Sequence, residues 1–160
     1  MIADRDLPVP LGSSTLAAVS PAGHQLPCGS GPRLEGTAVL VIEDDDDARE
    51  ILTLSLRTCG AEVSQAASGE EGLALLEGTD VLAVICDVGL PGIDGFEVAR
   101  RLRASNRHRA LRLIAVTGFG RTEDVTRAGE AGFDAHLTKP VETDRLVLLL
   151  RELTAAASGS

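Results

Sequence analysis

The sequence contains no tryptophan and no tyrosine, and only three phenylalanines in 160 residues. A chain so poor in flat side chains has few platforms on which bases can stack. Positive charge is short as well: 15 Lys+Arg face 24 Asp+Glu, for a formal net charge of -9 at pH 7. Such a chain repels phosphate backbones, so direct nucleic-acid binding is not expected. Among the bases, lysine is almost missing, since Lys139 is the only one. No stretch approaches the roughly 18 consecutive apolar residues of a membrane span. The N-terminus, with Asp4 and Asp6 near its start, lacks the basic opening and long apolar core of a secretion signal. Cysteine occurs three times, as Cys28, Cys59 and Cys86. An odd count at wide spacing suggests neither a disulfide framework nor a structural zinc site, and it fits a reduced, cytoplasmic setting. His24 and Cys28 sit four apart, but no second ligand pair accompanies them.

What is present is enough for one folded unit, because 44% of the residues are hydrophobic. Residues 1–36 hold five of the seven prolines and no aromatic residue, and no apolar period survives there. They read as a disordered Pro/Gly-rich leader or linker. From residue 37 short apolar runs alternate with helix-like stretches. Ala38–Ile42, Glu62–Ala66, Val81–Cys86, Leu111–Val116 and Phe133–Leu137 read as strands. Between them, Ala48, Ile51, Leu52 and Leu56 fall at helical spacing, with Asp46 or Asp47 as the expected cap. Ser68 and Glu71 form a capping-box pattern before Leu73 and Leu76. Phe96, Ala99 and Leu102 mark a third helix, residues 121–131 a weak fourth, and Leu146, Leu149, Leu150 and Leu153 a fifth. Residues 156–160 read as a short disordered tail.

Five βα units imply an α/β fold with a parallel sheet covered on both faces by five helices. Right-handed crossovers favour a doubly wound arrangement, and ligands then gather at the carboxyl ends of the strands. The residues at those ends form a coherent set. Strand one is followed by Glu43 and Asp44, strand three by Asp87, strand four by Thr117 and Gly118, and strand five by Lys139 and Pro140. Three acids at one edge repel one another unless a cation sits among them, and oxygen donors without His or Cys suit Mg²⁺. A lysine and a small hydroxyl beside them suit an incoming anion, which together describes a phosphoryl site. A carboxylate placed there can act as a nucleophile and hold an acyl phosphate. Taken singly, each residue has a blander reading as a helix cap, a turn residue or a surface lysine. It is their convergence that carries the inference.

The same residues carry a family likeness. Val39–Asp44 (Val-Leu-Val-Ile-Glu-Asp), Ile85–Gly95 (Ile-Cys-Asp-Val-Gly-Leu-Pro-Gly-Ile-Asp-Gly), Ala115–Gly118 (Ala-Val-Thr-Gly) and Leu137–Pro140 (Leu-Thr-Lys-Pro) resemble the receiver domain of two-component response regulators. The resemblance covers about residues 37–155 and implies a flavodoxin-like fold with strand order 2-1-3-4-5. It implies that Asp87 accepts a phosphoryl group from a histidine kinase phosphohistidine. Glu43, Asp44, Asp87 and the carbonyl of Gly89 would hold Mg²⁺. Thr117, the Gly118 amide and Lys139 would bind the phosphoryl group, with Thr117 and His136 as the switch pair. Pro140 would follow a cis bond, which only about 5% of X–Pro bonds in folded proteins adopt. Glu43 stands where Asp is more usual, and His136 where Tyr or Phe is. Gly89 and Phe119 occupy positions that modulate acyl-phosphate hydrolysis in the family.

The expected partners are a histidine kinase or phosphotransfer protein, an unidentified downstream protein and, once phosphorylated, a second copy of the chain. No kinase motif is present, so any enzymatic activity is limited to self-phosphorylation and dephosphorylation. The resemblance leaves open a stand-alone regulator or a receiver from a hybrid histidine kinase. Two other readings compete. One is an aspartyl-phosphate hydrolase of the dehalogenase type, which wants a second Asp where this chain has Gly89. The other is a degenerate receiver acting only as a docking surface, against which the intact acids and lysine argue. Six arginines between Arg100 and Arg112 read as a solvated basic face.

Overall fold

The computed structural model describes residues 33–118 and 121–158. Its elements are β1 Ala38–Ile42, α1 Asp46–Thr58, β2 Glu62–Ala66, α2 Gly69–Leu76, β3 Ala83–Asp87, α3 Gly95–Ala104, β4 Arg112–Thr117, α4 Thr122–Ala131, β5 Ala135–Thr138 and α5 Thr143–Ser158. The five strands form one parallel sheet in the order β2-β1-β3-β4-β5. That is the doubly wound α/β architecture expected from the alternation of strands and helices.

Successive residues of a strand point to opposite faces, so each apolar strand feeds two cores. Val39, Val41, Ile85, Ile114 and Val116 pack with Leu56 of α1 and with Leu146 and Leu150 of α5. Leu40, Ile42, Val84, Leu113 and Ala115 pack with Leu76 of α2, Phe96 and Leu102 of α3, and Ala128 of α4. Burial on both faces explains why the central strands read as unbroken apolar runs.

Three strands are displaced from their expected positions. Apolar content marks burial, whereas hydrogen bonding sets the strand. Asp87 pairs with Val116, and Thr117 with Thr138, so both polar residues lie inside the ladder rather than after it. Phe133 is not a strand residue, because its N–H closes the end of α4 on the Ala128 carbonyl at 3.0 Å. The intervening Gly132 adopts φ 114°, the left-handed turn that stops a helix and that glycine takes without strain. At the first helix the cap is Asp45, not Asp46 or Asp47: its carboxylate accepts the Ala48 N–H at 2.9 Å. Half of the expected Ser68–Glu71 capping box is present: Ser68 Oγ accepts the Glu71 N–H, but Glu71 Oε1 accepts the N–H of Ala67, one residue before the cap.

The folded unit passes both ends of the 37–155 span. Leu34 is 1% exposed in the α1/α5 core, and its N–H donates to the Cys59 carbonyl at 2.7 Å. At the other end α5 continues to Ser158. The remaining leader, with His24 and Cys28, and residues 159–160 lie outside the described residues. Cys86 is a buried free thiol. Cys59 is fully buried in the α1/α5 core.

The basic face is also more structured than a solvated patch. Arg100 and Arg101 pair with Glu97 on the same helix. Arg103 turns inward. Its guanidinium donates to the carbonyls of Gly132 at 2.8 Å, Arg109 at 2.6 Å and Leu111 at 2.7 Å, and to Asp134 Oδ2 at 2.8 Å. Asp134 Oδ2 also accepts the Leu113 N–H at 2.8 Å. One side chain thus ties α3, the start of β4 and the C-terminal end of α4 together. Among the described residues no helix is long and apolar enough to cross a membrane.

Candidate phosphoryl-acceptor site

The carboxyl ends of β1 and β3 bring three acids together, with β4 and the loop after β5 beside them. β1 delivers Glu43 and Asp44, β3 ends on Asp87, and β4 ends on Thr117. Lys139 arrives from the loop after β5, anchored by its own N–H to the Thr117 carbonyl at 2.8 Å. The Lys139–Pro140 bond is cis.

Lysine organises the acids. Lys139 Nζ lies 2.8 Å from Glu43 Oε1 and 3.0 Å from Asp87 Oδ2. The other Asp87 oxygen accepts the Gly89 N–H at 2.9 Å. Glu43 is 5% exposed and Asp87 8%, so both carboxylates have lost most of their water. Burial is the main reason the Glu43 carboxyl is pushed from 4.5 up to about 7, helped by its hydrogen bond with Asp87 and opposed by Lys139. Burial also acts to raise Asp87, but hydrogen bonds from Glu43, the Gly89 N–H and Lys139 outweigh it and hold that carboxyl below its ordinary value. Burial works against the Lys139 ammonium, yet its bonds to Glu43 and Asp87 raise its pKa overall. The three groups therefore divide their roles near neutrality. Asp87 is the ionised acid, Lys139 its fixed cation, and Glu43 takes up a proton when no other cation is near.

One carboxylate oxygen from each of Glu43, Asp44 and Asp87 lies within 4.8 Å of the others. A set of oxygens without nitrogen or sulfur fits a hard divalent ion such as Mg²⁺. A second observation concerns charge yet to arrive. Thr117 is fully buried, and its Oγ1 has no hydrogen-bond partner among the described residues. An orphaned buried hydroxyl costs about 1–3 kcal/mol, so it marks a place where a partner is expected.

His136 is separate from this cluster. It lies on β5 opposite Ala115, half-buried, and lines a groove with Glu142 and Arg145 on the α5 side. Gly118, directly after Thr117, is exposed, and Phe119 lies outside the described residues. Sequence reasoning missed Arg49. Its Nη1 donates to the Glu43 carbonyl at 2.8 Å and its Nη2 pairs with Asp46 at 2.6 Å, which fixes the chain between β1 and α1. The spacing of Asp46 and Arg49 on one helical face was the available signal. Glu43, Asp87 and Lys139 line one side of a cleft of about 470 Å³ between α1 and the loop before α5, and Ile51 and Leu52 form its apolar wall.

The family described as "Response regulator receiver domain" matches residues 39–151. An uncharacterized 14.6 kDa protein in the sodA1 3' region of Leptolyngbya boryana is 37% identical over 118 residues, which span 74% of this chain and 90% of that one. The transcriptional regulatory protein AfsQ1 of Streptomyces coelicolor is 45% identical over 105 residues, 66% of this chain and 45% of that one. The chain thus spans nearly all of the first relative and less than half of the second. Among solved structures, a CheY-like response regulator receiver domain protein from Methanospirillum hungatei superposes with a TM-score of 0.72 at 27% identity, covering 77% of this chain and 97% of that one.

Proposed function

Because the chain belongs to the response regulator receiver domain family, we propose that it is a phosphoacceptor module in which Asp87 takes a phosphoryl group from a phosphohistidine. The observation that carries this reading is the ion triad: Lys139 sits within 3.0 Å of both Glu43 and Asp87, while the buried Thr117 hydroxyl lacks a partner among the described residues. An Asp87 oxygen attacks phosphorus, the P–N bond to the donor imidazole breaks, and a P–O bond to Asp87 forms. Its depressed pKa keeps Asp87 ionised for that attack. Glu43, Asp44, Asp87 and the Gly89 carbonyl would hold Mg²⁺, which would supply countercharge for the phosphoryl oxygens. Lys139 transfers its hydrogen bond from Asp87 to a phosphoryl oxygen, and the Gly118 amide donates to another. Thr117 turns its free hydroxyl to the same group.

The incoming group adds about two negative charges in a confined place. Its pull on Thr117 and Lys139 biases the surface of α4, β5 and α5, with His136 on β5 following Thr117. α4 suits a part that moves: it buries only Ala128 and Ala131 and has no side-chain cap at its start. The phosphoryl donor is a histidine kinase or phosphotransfer protein in the cytoplasm. The altered surface addresses a downstream protein or a second copy of this chain. Acetyl phosphate with Mg²⁺ should add one phosphoryl group to wild type and none to Asp87→Ala, read by intact mass. Modification of both, or of neither, refutes the assignment. Repeated turnover of a generic phosphate ester would favour the hydrolase reading instead.

A further inference from the structure

α3 begins at Gly95, and this first residue is pressed against the turn by which the chain leaves Asp87. A Cβ at Gly95 would stand 2.6 Å from the Asp87 carbonyl oxygen, 2.6 Å from the Val88 Cα and 3.1 Å from the Asp87 carbonyl carbon. All three are main-chain atoms, which cannot swing aside as the tip of a side chain can. The Gly95 N–H also donates to the Val88 carbonyl at 3.2 Å. From the other side the Val88 N–H donates to the Val116 carbonyl of β4 at 3.0 Å. The Asp94 carboxylate fixes the start of α3 by accepting the Glu97 N–H at 2.9 Å. The turn at Asp87–Gly89 is therefore clamped between β4 and the first residue of α3.

We propose that Gly95 is a positioning residue for the acceptor site: the missing side chain at the first position of α3 sets the path of Asp87, Val88 and Gly89. It thereby sets the directions of the Asp87 carboxylate and the Gly89 carbonyl. Its meaning for phosphoryl transfer rests on the reading of Asp87 given above. A methyl group at Gly95 pushes the turn outward, stretches the 2.9 Å bond between the Gly89 N–H and Asp87 Oδ1, and spreads the oxygens that would hold Mg²⁺. Gly72 of α2 is the contrasting case. A Cβ there would meet the Ile42 side chain, which leaves the backbone at Asp87 in place.

The test compares Gly95→Ala with Gly72→Ala in three measurements. They are the Gly89 amide resonance in the metal-free protein, the Mg²⁺ dissociation constant, and the rate of phosphorylation by acetyl phosphate. Gly95→Ala should move the Gly89 resonance, weaken Mg²⁺ about tenfold and slow phosphorylation about tenfold, as displacement of supporting groups does elsewhere. Gly72→Ala should lower the melting temperature and leave the other readouts near wild type. A Gly95→Ala protein whose Gly89 resonance and Mg²⁺ affinity match those of Gly72→Ala overturns the proposal. If wild type takes no phosphoryl group, the phosphoacceptor reading fails, and the Gly89 resonance still decides whether Gly95 sets the turn. Should Gly95→Ala not fold, the comparison is made in a Gly129→Ala background. Gly129 lies in α4, where a Cβ meets nothing within 4 Å and the change stabilises the helix.

Discussion

Glu43 makes a stability prediction that can be read without any phosphoryl donor. In the metal-free protein its carboxyl is pushed from 4.5 up to about 7, chiefly by burial. The folded state then holds a proton that the unfolded state has released, so stability falls as pH rises from about 4.5 to about 7. At about 1.4 kcal/mol per pKa unit, that rise gives an upper bound of about 3.5 kcal/mol. Part of it is the interaction with Asp87 seen from the other side, since Asp87 moves in the opposite direction. A net loss of about 1–2 kcal/mol remains, or about 5 °C in melting temperature for a domain of this size. Asp87, being depressed, adds stability that disappears only as pH falls below its ordinary value of 3.8. The two windows do not overlap.

The assay is thermal melting in EDTA between pH 5 and 7.5, followed by circular dichroism because the chain lacks tryptophan and tyrosine. Wild type should lose about 5 °C across this range. Glu43→Gln should lose much less and should be the more stable protein at pH 7.5, with Lys139 still paired to Asp87. The histidines are common to both proteins and cancel in the difference. Adding Mg²⁺ at pH 7.5 should raise the wild-type melting temperature by mass action. Superimposable pH profiles for the two proteins would refute the reasoning.

Two further outcomes follow from the geometry. Lys139→Arg keeps the charge but replaces a compact ammonium, seated between two carboxylates at 2.8 and 3.0 Å, with a planar fork. Its amide spectrum should lose most of the phosphorylation-linked change in α4, β5 and α5, a coupling loss of about 1–2 kcal/mol, and a wild-type response would count against the assignment. Leu34→Ala opens a cavity in the α1/α5 core at a side chain 1% exposed. It should cost about 3 kcal/mol and about 10 °C in melting temperature, and an unchanged melting curve would mean that residue 34 is not part of the folding unit.

The site was more legible than its boundaries. Glu43, Asp87 and Thr117 end or follow apolar runs buried on both faces, which is a strong local signal, whereas Lys139 follows the half-exposed β5. Where polar residues enter the ladder the signal stops short: Asp87 and Thr117 are paired strand residues, and no hydropathy pattern distinguishes them from the loop beyond. Asp45 shows a different limit. Within five consecutive acids, the cap is chosen by one residue's extended backbone, φ -78° and ψ 118°, which composition does not encode. Leu34 was lost because a single apolar residue beside Pro32 and Gly36 has no period. The inward turn of Arg103 depends on partners 29 and 31 positions away, at Gly132 and Asp134, and only the folded chain brings them within reach.

That arginine fixes how α4 can travel. The C-terminal end of the helix is bound through Gly132 and Asp134 to α3 and β4, while its first turn lacks a side-chain cap. Ten residues at about 1.5 Å each make a rod about 15 Å long. In the proposed switch such a rod, bound at its C-terminal end and resting on α3 through Arg127 over the Phe96 ring at 4.2 Å, is displaced most at Thr122 and least at Ala131. Motion of α4 is then a swing about Gly132, with its fulcrum at the pole of the sheet farthest from Asp87.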